Sequence, residues 1–94
     1  MAAIIYIEVS MQIPHAQSLK DKRHSIQGMK IKLQTQFNAS VAEIGSMDAW
    51  QQAVFGIVMI ASDKHYLQTQ ASLVENFLLT VPDVVILGTT VEWL

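Results

Sequence analysis

Residues 18–37 read SLKDKRHSIQGMKIKLQTQF, and the rest of the chain is organised around this stretch. With about 100° between successive residues of a helix, its apolar side chains fall on one arc. These are Leu19, Ile26, Met29, Leu33 and Phe37. Ser18 suits the N-cap position, and Asp21 three residues later resembles the acidic member of a capping box. The stretch therefore predicts an amphipathic helix that packs one stripe against a core.

Two residues add detail to this helix. Asn38 suits its end, because asparagine tolerates the backbone conformation that closes a helix. Gly28 costs about 1 kcal/mol relative to alanine inside a helix. A glycine in that position predicts a close approach of the helix to the sheet.

Strand patterns flank the helix on both sides. Residues 3–13, AIIYIEVSMQI, alternate between apolar and polar and predict a strand with one buried face, which Pro14 ends. Residues 39–44 predict a second strand. The third, AVFGIVMIAS at 53–62, is apolar throughout and predicts a central strand covered on both faces, weakened or bulged at Gly56.

The last third of the chain repeats the helix and strand pattern. Ser62 or Asp63 caps a second helix, which Pro82 stops. Residues 84–93 form the fourth strand, with Gly88 marking a bulge or register change. The order βαββαβ with right-handed crossovers predicts a single α+β domain over residues 1–94. Its plan is a ferredoxin-like sandwich: a four-stranded antiparallel sheet with both helices on one face.

The composition limits the chemistry. The 94 residues include no cysteine, which excludes disulfides, thiolate nucleophiles and cysteine-ligated zinc. No apolar run approaches the roughly 20 residues of a membrane span, and a cytoplasmic protein without membrane contact is predicted. The net charge of −2 is split, because residues 18–32 carry +4 and the remainder −6. Such a dipolar surface allows one anionic partner to dock at one place.

Several blocks together resemble the YlxP-like family of small bacterial proteins. They are SLKDKR at 18–23, FNASVAE at 37–43, the pair Asp48 and Trp50, and Gly56. The resemblance covers essentially the whole chain and implies a ferredoxin-like fold. It also implies a genomic setting beside ribosome-binding factor A, and with it an RNA or ribosome connection. Family members carry more basic residues late in the first helix, where this chain has glutamines.

The basic cluster in the first helix has two interpretations. Its members are Lys20, Lys22, Arg23, Lys30 and Lys32. Cations in the first turn oppose the helix dipole by about 0.3 to 1 kcal/mol each, so stability alone would not select them. An anion or RNA backbone bound at this helix start is one interpretation. The other is a solvated face that keeps a small apolar protein in solution.

The open face of the sheet and two tryptophans are candidate contact surfaces. Tyr6 and Phe55 could stack bases there, although phosphates would be repelled by acidic neighbours: Glu8 on the same face, and Glu43 and Glu92 expected on the flanking strands. Tyr6, Trp50 and Trp93 are candidate interface residues, and a homodimer is one expected form of association.

Nothing in the sequence points to catalysis. His15, His24 and His65 are too scattered for a metal site, no carboxylate pair has a cleft, and no cofactor motif occurs. The leading hypothesis is a non-enzymatic module that contacts RNA or a ribosome-associated protein through the basic cluster. The competing hypothesis is a protein-interaction or dimerisation module with no nucleic-acid role.

Overall fold

Strands and helices follow one another in the predicted order βαββαβ. The computed structural model describes residues 1–94, and its six elements are β1 at Ala3–Gln12, α1 at Leu19–Gln36, β2 at Ser40–Gly45, β3 at Gln52–Ala61, α2 at Lys64–Leu78 and β4 at Val85–Trp93. The four strands form one antiparallel sheet in the order β2-β3-β1-β4. The ferredoxin-like prediction is confirmed.

The register of the central strands sets the two faces of the sheet. β1 and β3 pair without a shift from Ala3 opposite Ala61 to Gln12 opposite Gln52. Directly opposite residues of an antiparallel pair point to the same face. Ile7 and Ile57 are therefore neighbours on the side of the helices, where both are fully buried.

Both helices lie on that one side and share a core with the sheet. α1 contributes the predicted stripe members Ile26, Met29 and Leu33, while α2 contributes four buried residues: Leu67, Ala71, Val74 and Leu78. Neither helix is both long enough and apolar enough to cross a membrane.

The ends of α1 are fixed by local hydrogen bonds. The backbone N–H of Asp21 donates to Ser18 Oγ at 3.0 Å, and the Asp21 carboxylate accepts from the N–H of Gln17 at 3.0 Å. Asn38 follows the helix with φ of 50°, the left-handed conformation that closes many helices. The predicted start and stop are both confirmed.

Three glycine predictions have different outcomes. Near Gly88, the pairing of β1 with β4 shifts register between Ser10 and Met11, as predicted. At Gly56 the pairing with β1 is unbroken, so the predicted bulge is wrong. Gly28 makes no close approach to the sheet either, because a Cβ placed there would meet no atom within 4 Å.

Candidate functional site

A lysine lies in the core beneath the start of α1. Lys22 is only 1% exposed. Its ammonium Nζ donates at 2.8 to 3.4 Å to carbonyl oxygens of the loop between β2 and β3 and of the first residue of β3: those of Ser46, Met47, Ala49 and Gln52. Glu43 Oε2 lies 2.8 Å from the same nitrogen and is buried without a hydrogen bond, so the ammonium charge is its partner.

This arrangement corrects the prediction that Lys22 anchors an anion. An ammonium group has three protons, and here they face carbonyl oxygens inside the protein. Its charge is balanced by Glu43 of the same chain. Lys22 therefore ties α1 to the β2–β3 loop and is not available to a ligand.

The other four basic residues do not form one cluster. By helical geometry Lys20, Arg23 and Lys30 share an arc of about 80° on one flank of α1, and Lys32 lies roughly opposite that flank. In agreement, Lys32 lines a groove between α1 and the end of α2, and neither Arg23 nor Lys30 does. The Lys22–Glu43 pair is the sole ion pair in the chain, so these four cations have no carboxylate within 4.0 Å.

The sheet face that points away from the helices is bare. Along β3, Phe55 and Ile57 are buried under the helices, whereas Val58 on the other side is half-buried and Ile60 is 63% exposed. The prediction that both faces of this strand are covered is therefore wrong. Two helices on one side leave the other side of a four-stranded sheet uncovered. The predicted order, with only two helices for four strands, therefore already implied one uncovered face.

The bare face divides into an apolar half and an acidic half. Most of its apolar side chains come from β2, β3 and the start of β1, and Val85 on β4, opposite Gln12, adds one more: Ile4, Ala42, Ile44, Val54, Val58 and Ile60 are the first group. Glu8 on β1 and Glu92 on β4 lie towards the opposite edge. We call the first group the apolar patch.

Two predicted members of this face lie elsewhere. Phe55 is opposite both Val9 and Glu43 on the helix side of the sheet. Phe55 therefore cannot stack bases together with Tyr6, and that prediction is wrong. The same register places Glu43 on the helix side, away from Glu8, so its expected position on the outer face is also wrong.

Tyr6 lies at the centre of the bare face. Its hydroxyl donates to Glu8 Oε1 at 2.8 Å. Its ring covers Gly56, where an added Cβ would come 3.1 Å from Tyr6 Cε1. The glycine thus provides room for the ring. The hydrogen bond to Glu8 raises the pKa of Tyr6 above its usual value of 10.0, and desolvation and the charges of Glu8 and Glu92 act in the same direction.

This contact predicts a change in stability at alkaline pH. A raised pKa in the folded chain means that the stabilisation is fully present below the unfolded-state pKa of about 10, and is lost as pH rises through the folded-state pKa. We expect the stability difference between wild type and Tyr6→Phe to be constant below that pH and to shrink above it. Urea unfolding across pH measures it.

A phenolate absorbance titration checks the same contact directly. In a Tyr66→Phe background Tyr6 is the only tyrosine. Glu8→Gln should then lower the pKa of Tyr6 towards its usual value. If phenolate forms at the same pH in the Tyr66→Phe chain with Glu8 and in the same chain with Glu8→Gln, the hydrogen bond does not raise the pKa of Tyr6.

The two tryptophans lie in different places from Tyr6. Trp50 is 53% exposed on the β2–β3 loop that Lys22 holds. Trp93 is opposite Ile5 on the helix side, half-buried against the core, with Lys64 Nζ 4.7 Å from its ring centroid. The three candidate interface residues are therefore not brought together on one surface.

The histidines and acidic residues also stay apart. No group of three or more histidine or acidic side chains lies close enough together to hold a metal ion.

Fold and surface together define a class: a ferredoxin-like α+β sandwich with one sheet face covered by helices and the other bare. The chain belongs to the DUF503 family, a family of proteins of unknown function, whose family model matches residues 4–91. It is similar to the uncharacterized protein YlxP of Bacillus subtilis (strain 168), with 32% identity over 88 residues. The matched region is 94% of this chain and 96% of that relative. The YlxP-like resemblance predicted from the sequence blocks is confirmed.

Proposed function

We propose that this chain is a non-enzymatic interaction module whose bare sheet face is covered by a second copy of the same chain. One observation carries the proposal: β3 is apolar on both faces, yet only one face has helices over it. A strand of this composition is typical of sheets that are buried on both sides. A protein surface is the missing layer.

The distribution of charge on the face favours a second copy. A two-fold axis near β3 would place the apolar patches of two copies against each other, because a two-fold contact joins the same surface on both partners. Glu92, on the edge strand β4, would then lie towards the rim of the contact, where it keeps its hydration, while Glu8 keeps its hydrogen bond from Tyr6. The acidic half of one copy would not be forced against that of the other.

The size of the whole face is close to what a stable contact buries. Four strands of six to ten residues, about 4.8 Å apart and at about 3.3 Å per residue, give a planar face of roughly 550 Å². Side-chain relief raises the accessible area above that planar value. Standard interfaces bury about 800 Å² per partner, so most of this face is required.

Sedimentation equilibrium over a wide range of chain concentrations tests the proposal. We expect a reversible equilibrium between monomer and dimer, with no dependence on added nucleic acid. A strictly monomeric chain at the highest concentrations would contradict it.

RNA binding is a second candidate function, supported by one separate observation. Lys20, Arg23 and Lys30 share a flank of α1, and no carboxylate of the chain neutralises them. Such a row can follow successive phosphates. This version of the hypothesis excludes Lys22, which is buried, and Lys32, which lies on the other flank.

The salt dependence of binding tests the second candidate. For single-stranded or structured RNA, the logarithm of the binding constant should fall linearly with the logarithm of the salt concentration. On a single strand, each phosphate contact contributes about 0.7 to the steepness of that slope. Replacing Lys20, Arg23 and Lys30 together by alanine should therefore lower the slope by about 2. Lys32→Ala with Lys64→Ala removes the two lysines outside this flank that are not buried, and as the control it should change the slope little. Equal slopes for the triple variant and wild type would discard this candidate.

A further inference from the structure

A groove on the helical side of the molecule lies opposite the bare sheet face. It has a volume of about 320 Å³ and runs between α1 and the turn that follows α2. Met29, Phe77 and Val81 supply its apolar surface. The hydrogen-bonding contact of His15 Nε2 with Ser25 Oγ, at 3.3 Å, joins the chain segment before α1 to one wall.

Gly28 lines this groove, and the fold does not require it there. Its φ is not in the left-handed region, and an added Cβ would meet no atom within 4 Å. Glycine in the middle of a helix is unfavourable relative to alanine, so neither packing nor backbone geometry explains it. What the missing side chain provides is open space beside α1.

Two opposite charges line the same groove without pairing. Lys32 is on the α1 wall and Asp83 is on the turn after α2. Neither forms an ion pair within 4.0 Å. The groove therefore has a cation on its α1 wall, an anion on the turn after α2, and an apolar surface.

Size and charge together indicate the class of ligand. Ligand pockets in proteins have volumes of about 300 to 1,000 Å³, and this groove is at the small end of that range. A carboxylate would be attracted by Lys32, an ammonium by Asp83, and an apolar side chain by Met29 and Phe77. These three requirements describe a free amino acid with an aromatic or branched apolar side chain.

We propose that the groove between α1 and the end of α2 binds a small zwitterion with an apolar side chain, in the class of the free aromatic and branched amino acids. The site is independent of the proposed association surface, because it lies on the other side of the sheet. The proposed interaction module would then also bind a small molecule, at a site separate from its association surface.

Binding of L-phenylalanine and L-leucine to the wild-type chain, followed by amide NMR shifts, tests the proposal. We expect saturable shifts for at least one of them, centred on the groove segments 24–32 and 77–83. With L-phenylalanine as the reference, 3-phenylpropionate lacks the ammonium and phenethylamine lacks the carboxylate. Each should bind about 10-fold more weakly or worse, because each loses a charge-assisted contact.

Variants of the groove locate the site. Gly28→Leu should fold, since leucine favours helices and its Cβ has free space, and it should abolish binding by filling the groove. Gln27→Leu is the matched control, one residue away on the exposed surface of α1 and outside the groove, and should bind normally. Asp83→Asn keeps a residue that tolerates the φ of 65° and should remove the preference for an ammonium group.

Four results would overturn the proposal. These are the absence of saturable shifts with both amino acids, shifts centred outside the groove, equal binding by Gly28→Leu and Gln27→Leu, and affinity equal to that of L-phenylalanine for either 3-phenylpropionate or phenethylamine. The first three would remove the site, and the last would remove the assignment of a zwitterion.

Discussion

Replacing Lys22 by methionine is expected to lower the free energy of unfolding by about 3 kcal/mol. The substitution leaves the Glu43 carboxylate without its counter-charge and removes the donor shared by the carbonyl oxygens of the β2–β3 loop. Breaking a buried ion pair typically costs about 3 to 5 kcal/mol. The lower end applies because the Glu43 side chain is 21% exposed and can regain some water.

Urea unfolding at a fixed chain concentration measures this loss. The fixed concentration matters because association would itself add stability to the folded chain. Lys20→Met is the matched control: the same substitution, two residues away in the first turn of α1, at an exposed position. It should change the stability by less than about 0.5 kcal/mol. Ion pairs on the surface contribute less than about 1 kcal/mol to stability. A loss that small for Lys22→Met would contradict a buried, stabilising pair of Lys22 with Glu43.

Replacing Ile60 by aspartate is expected to weaken self-association about 100-fold, equivalent to about 2.7 kcal/mol. Ile60 is 63% exposed in the single chain, so its replacement removes little packing within one copy. In a two-fold contact each copy would bring an unpaired carboxylate into the apolar patch, and desolvating such a group is costly. Sedimentation equilibrium gives the dissociation constant.

Leu73→Asp provides the control for added charge. Leu73 is 47% exposed on α2, on the opposite side of the sheet from Ile60. This variant should associate like wild type. Equal weakening by both variants would mean that net charge, and not the sheet face, governs association.

Most of the fold could be predicted from periodicity and local signals. The alternation in β1, the Ser18 cap and Asn38 each describe a short stretch of chain, and such signals do not depend on distant residues. The order of elements then limited the topology to a ferredoxin-like plan. The faces of β3 were harder to predict, because the register with β1 decides whether Phe55 or Val58 points to the helices.

The role of Lys22 was only partly visible in the sequence. Position 22 precedes Ile26, Met29 and Leu33 by four, seven and eleven residues, the spacing of one helical stripe. Its inward direction could therefore have been predicted. Its partners could not, because the carbonyl oxygens belong to a loop about 25 residues away whose path depends on the hairpin.

The sequence alone does not predict the groove, because its walls come from distant segments of the chain. Lys32 and Asp83 are 51 residues apart in the chain and line the same groove only when α1 and the turn after α2 lie next to each other in the folded chain. Gly28 is a local signal, but a glycine inside a helix predicts a close approach to the sheet equally well. The same residue instead leaves space on the surface of the helix.

Isotope-filtered NOE spectroscopy on a mixture of labelled and unlabelled chains tests the central claim most directly. It detects contacts between methyl groups of different copies. The proposal predicts such contacts among Val54, Val58 and Ile60, on the side of β3 away from the helices. Two results would contradict it. One is contacts confined to helix residues such as Ile31 and Leu73, and the other is no contacts between copies at the highest chain concentrations.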